Sequence, residues 1–182
     1  PNPQRSARLF SRGMRLIFLT LFPFVLCAIA FAHEGLALWV GESIAAHSDS
    51  VLRWLAIGVF MNGIVQVPFA TIQAAGRPDL TARIHLIELP LYVPTLWWMA
   101  HRWGIEGAAV AWMLRGGLDL VVQFVVATTL LPARKQAAGV RARTFAVAGF
   151  AASAFAAAAF IPGLATRAVV VAVTLPAFGI LG

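Results

Sequence analysis

Long, unbroken apolar runs leave this chain few folds to choose from. Crossing ~30 Å of hydrocarbon takes roughly 20 predominantly apolar residues per helix. Five such runs and a shorter sixth can be marked, at Leu16 to Phe31, Val51 to Ala74, Leu80 to Met99, Gly107 to Leu131, Thr144 to Ile161 and Ala168 to Leu181. With 60% apolar residues, 12% charged residues and a mean hydropathy of +0.84, the composition is far from the soluble balance and reads as an integral membrane protein. Hydrocarbon offers no partner to free backbone groups, and the runs are too long and too uniformly apolar for barrel strands. The expected fold class is therefore all-α: a polytopic membrane helix bundle of five full spans plus a truncated sixth. Residues 1–131 hold four spans, and residues 132–182 hold two more, the last truncated.

The chain opens Pro1-Asn2-Pro3 and stops at "FGILG" inside an apolar run, so it reads as a fragment. Its first helix has a basic front and an apolar middle, as a secretory signal does, but the run is long and no small-residue cleavage site follows. A spanning helix is the expectation. Cys27, the single cysteine, lies inside that helix and has no partner for an internal disulfide, so it reads as packing.

Orientation is read from Lys and Arg, because loops rich in them stay cytoplasmic. Ten of the 14 fall on one side: Arg5, Arg8, Arg12 and Arg15 before the first span, Arg77 and Arg83 at the second loop, and Arg134, Lys135, Arg141 and Arg143 at the fourth. Arg53, Arg102 and Arg167 fall on the other side, and Arg115 sits within a span. The amino end is expected in the cytoplasm and the chain in the cytoplasmic (inner) membrane. The segment "HEGLALWVGESIAAHSDS" is too polar to span and is expected at the outer surface. A pI near 11.5 follows from this bias; anionic membrane lipids are its natural partners, and nucleic acid is not.

Within the spans the polar residues fall into stripes. Thr81, His85, Glu88, Tyr92 and Thr95 recur at helical spacing, as do Gly58, Asn62, Gln66, Ala70 and Gln73, and also Ala108, Ala111, Arg115, Asp119 and Gln123. Ionisable groups in a span cost several kcal/mol unless they pair or meet water, so these faces should meet one another or a cavity. Two readings stay open at each position. Arg115 and Asp119, at i and i+4, form a structural couple on one helix or line a cavity. Glu88 joins helices by bonding Asn62, Gln66 or Arg115, or it works in a cavity. His85 is a bonding partner or a proton carrier. Gln66 and Gln73 read as packing hydrogen bonds, and Trp39, Trp54, Trp97, Trp98 and Trp103 as an interfacial belt. Pro23, Pro68, Pro90 and Pro94 invite kinks. Gly149, Ser153 and Ala157 mark the fifth span as a close-packing helix.

Soluble chemistry is not expected. The sequence carries no glycine-rich phosphate loop, no ligand set at metal spacing and no nucleophile with its base, so neither enzyme activity, nor a cofactor, nor a metal is called for.

Three motifs in order resemble a known family: the WVG turn at Trp39 to Gly41, "QAAGRPDLTA" at Gln73 to Ala82, and "GIEGAAVAW" at Gly104 to Trp112 followed by Arg115 and Asp119. Together they are similar to the carboxy-terminal region of polysaccharide-biosynthesis flippases, the lipid-linked oligosaccharide exporters of the multidrug/oligosaccharidyl-lipid/polysaccharide superfamily. The resemblance covers roughly Arg12 to Leu131. It implies one lobe of a larger two-lobed transporter whose amino-terminal lobe is missing here, and whose substrate is an undecaprenyl-pyrophosphate-linked oligosaccharide moved by alternating access. In that setting the cavity candidates are Arg115, Asp119, Glu88, His85, Asn62, Gln66, Tyr92 and Gln123. Arg115 would attract phosphate, Asp119 would hold Arg115, and Glu88 with His85 would form a proton or cation switch. A drug or metabolite antiporter of the same superfamily and a non-transporting membrane scaffold are the alternatives.

Overall fold

The computed structural model describes residues 3–130, 149, 151–159 and 164–181, all but single turn positions of them helical. We label the helices α1 (Pro3–Ala30), α2 (Ala32–Val40), α3 (Glu42–Ala74), α4 (Pro78–Leu130), α5 (151–159) and α6 (Leu164–Leu181). The all-α expectation holds. Among the described residues, three helices are long and apolar enough to cross a membrane: Ser6–Ala30 of α1, and α3 and α4 in full. Part of the expected fifth span lies outside the described residues, and α6 is not among those three.

The second loop shows how local sequence sets the turns. At the end of α3, Gly76 takes φ 71°, which a residue with a Cβ rarely adopts. Its N–H reaches the Gln73 carbonyl and the Arg77 N–H reaches that of Ile72, so the last carbonyls of α3 are satisfied by a Schellman closure. Pro78 then opens α4, where a missing N–H costs nothing. Asp79 lies in the first turn, where the helix dipole favours an anion. Its carboxylate accepts from Arg77 Nε at 3.2 Å, and that bond holds the carboxyl below the ordinary carboxylate range.

Helix α4, 53 residues long, is two helices in one. Gly104 breaks it with φ 60° and ψ −139°, a conformation open essentially to glycine. The arms on either side, residues 78–103 and 105–130, fold back on each other: Glu88 meets Arg115, His85 meets Asp119, and a Cβ on Gly107 would strike the carbonyl of Met99. This antiparallel hairpin matches the separate third and fourth runs read from hydropathy. Glu42 to Ser50, expected at the outer surface, forms the first turns of α3, and of these residues only Ala45 is buried.

The core is built on α1. Ala7, Phe10, Met14, Phe18, Phe22, Val25 and Ile29 recur at three and four residues and are all buried. Phe18 and Phe22 of α1 meet Phe60 of α3 and Phe155 of α5, with ring centroids 5.1 to 6.4 Å apart. Each such pair contributes about 0.5–1.5 kcal/mol beyond burial. Among the described residues, α5 packs through Ala151, Ala154, Phe155 and Ala158, whereas Gly149 and Ser153 are exposed and Ala157 is half-buried. Small residues thus do line its packed face, though not those whose spacing marks the helix; lipid and helix neighbours both accept small side chains, so spacing alone does not choose between them. Pro23, Pro68, Pro90 and Pro94 each lie within a helix that continues past them.

Candidate functional site

The two arms of the α4 hairpin place their polar stripes face to face. From the first arm come His85, Glu88 and Tyr92, and from the second Arg115, Asp119 and Gln123, which sit four residues apart and so share one face. Because the arms run antiparallel, the order of charges reverses across the seam. Arg115 Nη2 lies 3.8 Å from Glu88 Oε2, and its guanidinium sits over the Tyr92 ring at 5.3 Å, within cation–π range. One turn along, Asp119 Oδ1 lies 3.5 Å from His85 Nε2 and accepts a hydrogen bond of 2.6 Å from Gln123 Nε2. Gln123 Nε2 also stands 3.3 Å from His85 Nε2.

Of the pairings left open by the sequence, the structure has Arg115 with Glu88, one of the partners read for that glutamate, and Asp119 with His85. A partner on the facing helix needs no i,i+4 spacing and leaves each long side chain extended. Gly58 and Asn62 of α3 reach the same place: with Val65, Trp112, Arg115, Gly116 and Asp119 they line a small recess of about 40 Å³. Gly58 is required there, since a Cβ would strike the Trp112 ring. Gln66 does not join this group; it is exposed and its Nε2 donates to the Asn62 carbonyl at 3.4 Å.

Burial is uneven across the seam. Glu88 is 4% exposed and neither of its carboxylate oxygens has a hydrogen-bond partner, and Gln123 Oε1 is likewise buried and unbonded. The Arg115 and His85 side chains stay 35% and 42% exposed. Such a site can hold an anion at Arg115, a cation between the carboxylates, or a proton shared among them. Sequence reasoning did not see that His85, Glu88 and Asp119 bring one donor atom each to within 4.8 Å of one another. The third donor is on another helix, and only the closed hairpin supplies it.

A second group of charges ties the opposite end of the bundle. Trp54 Nε1 donates to Glu106 at 3.2 Å, Arg53 pairs with Asp49 at 3.2 Å, and Arg167 donates to the Ala30 carbonyl at 3.3 Å and reaches Glu34 at 3.5 Å. Trp39, Trp97, Trp98 and Trp103 are exposed at this end, as an interfacial belt would be.

Among curated proteins, one from Shigella flexneri, described as a "Putative O-antigen transporter", is 34% identical to this chain over 112 residues. The chain is a relative of that protein. The resemblance to polysaccharide-biosynthesis flippases that the three motifs carry is thereby matched by a homologue, and with the apolar helices it makes this a membrane protein. The matched part is 62% of the chain and 27% of the Shigella relative, so the chain spans little more than a quarter of that protein's length. No protein-family model matches the chain, and no solved structure matches it.

Proposed function

We propose that the chain is part of a transporter that flips an undecaprenyl-pyrophosphate-linked oligosaccharide across the cytoplasmic (inner) membrane for surface polysaccharide biosynthesis. The hairpin seam carries this reading: a half-exposed arginine, deep in the apolar part of the chain, borders a polar recess in a relative of the Shigella protein. On this reading the described helices form part of the second of two lobes, with five spans and part of a sixth in the chain and its amino end in the cytoplasm. The missing amino-terminal lobe would close the cavity, and the lobes would alternate between inward and outward openings while the prenyl tail stays in lipid. Arg115 would receive the pyrophosphate, and Glu88 with His85 would carry a proton or a coupling cation.

The test is flipping by the full-length protein in cells lacking their own flippase. Arg115→Ala should lower the rate tenfold or more at unchanged membrane abundance, and a wild-type rate would remove the phosphate role. With Glu88→Gln, the rate should lose its dependence on ion gradients; retained dependence would remove the switch. Export of a small cation is the second reading, favoured by one observation: two carboxylates face one arginine in the seam. Efflux of a cationic dye that ignores Arg115→Ala would select it.

A further inference from the structure

Charge in the seam poses a problem for a pyrophosphate site. Counted at formal charge, Glu88 and Asp119 contribute two negatives and Arg115 one positive, so the three together total −1. An anionic head would be repelled by the very residues that surround its arginine. We infer that His85, Glu88 and Asp119 bind a divalent transition-metal ion that, beside Arg115, reverses this charge and receives the pyrophosphate. The inference rests on the flippase reading and names an ion for its site, in place of the proton or coupling cation assigned above to Glu88 and His85.

Three observations carry it. The donor set is one imidazole nitrogen and two carboxylate oxygens, drawn from both arms and mutually within 4.8 Å. Bonds of ~2.0–2.2 Å set tetrahedral neighbours about 3.4 Å apart; His85 Nε2 and Asp119 Oδ1 already stand 3.5 Å apart, and Glu88 closes the set by moving in by at most about 1.4 Å. Glu88 is 4% exposed and belongs to this set, and beyond its 3.8 Å approach to Arg115 neither oxygen has a hydrogen bond, which is costly for a buried carboxylate. The His85 side chain is 42% exposed, which leaves one side of the ion open to water or a phosphate oxygen.

The chemistry of the donors narrows the ion. Imidazole with carboxylates favours first-row transition metals over sodium, magnesium or calcium. Gln123 Nε2, 2.6 Å from Asp119 Oδ1, orients that ligand from the outer sphere. Its 3.3 Å approach to His85 Nε2 is the contact an ion would replace. Arg115, 3.8 Å from Glu88, opposes the ion and weakens its hold. With a dication bound the group totals +1.

The experiment uses the full-length protein in lipid nanodiscs, titrated with Mn2+ alone and followed by electron paramagnetic resonance. One saturable site is expected, weakened at least tenfold by His85→Gln and by Asp119→Asn. The half-exposed position of His85 makes the first variant tolerable to the fold, and a thermal midpoint near wild type confirms it. Binding of inorganic pyrophosphate to protein preloaded with Mn2+ and desalted should exceed binding in EDTA at least tenfold, and this gain should vanish in His85→Gln. Absence of a saturable site, or equal Mn2+ affinity in wild type and both folded variants, would overturn the inference. In that event, pyrophosphate binding in EDTA that Arg115→Ala abolishes keeps the flippase reading, now without an ion. Pyrophosphate binding that is absent with and without Mn2+ fails both.

Discussion

The aromatic packing around Phe22 and the charged seam around Arg115 are both interfaces between helices, and they are built on opposite terms. At Phe22, which is 0% exposed, rings from three helices meet, Phe18 and Phe22 of α1 with Phe60 of α3 and Phe155 of α5. At Arg115 the partners stand 3.8 Å apart, one carboxylate has no hydrogen bond, and a recess opens alongside. Between helices in lipid, close packing rather than the hydrophobic effect supplies the stability. The ring cluster can therefore act as the fixed wall, while the seam, which contributes little to holding the bundle, is free to exchange partners.

Truncating the wall should produce the largest effect. Phe22→Ala leaves a ring-sized void and should cost about 3–5 kcal/mol, read as a steep fall in the thermal midpoint of detergent-solubilised protein. A smaller loss would mean that the rings pack less tightly than their centroids indicate. Gly107→Ala comes next, at about 1–3 kcal/mol, since the new methyl would meet backbone rather than a flexible side chain. It should also spread the arms, which a spin-label distance across the hairpin would register.

Glu88→Gln should alter stability by less than about 1 kcal/mol, because the pair it breaks is long and its partner is a third exposed. A loss of several kcal/mol would erase the distinction between wall and seam. Smallest of all is Asp79→Asn at the α3–α4 turn. The folded carboxyl lies below its ordinary range, so its contribution is present above that range and is lost as pH falls through the folded value. The difference between wild type and variant should be visible at neutral pH and gone in strong acid, as paired melting curves would show.

Much of this contrast was legible along single helices and little of it between them. The two polar stripes of the hairpin follow from three- and four-residue spacing, because a helix fixes which side chains share a face; the buried α1 stripe has the same spacing but, being apolar inside an apolar run, carries no contrast that marks it in the sequence. Pairing across the hairpin was open rather than fixed: Arg115 is one of three partners read for Glu88, and nothing in the spacing selects it. Spacing joined Arg115 to Asp119, whereas the reversal at Gly104 brings Glu88 to the arginine instead. Gln66, on the same stripe as Asn62, stays outside the site because the recess ends short of it. The spacing that marks α5 as close-packing does not name its face either, because small side chains suit protein and lipid neighbours alike.

The break at Gly104 also makes the hairpin a lever. Glu88 stands 16 residues from that glycine, about 24 Å along the arm at ~1.5 Å per residue. Rotation of one arm by about 5° about the bend would displace the carboxylate by roughly 2 Å, enough to dissolve a contact of 3.8 Å or to form a hydrogen bond. Met99 and Gly107, close beside the bend, would move by only a fraction of that. Angular change too slight to disturb the packing at the bend is thus magnified into making or breaking ion pairs at the seam.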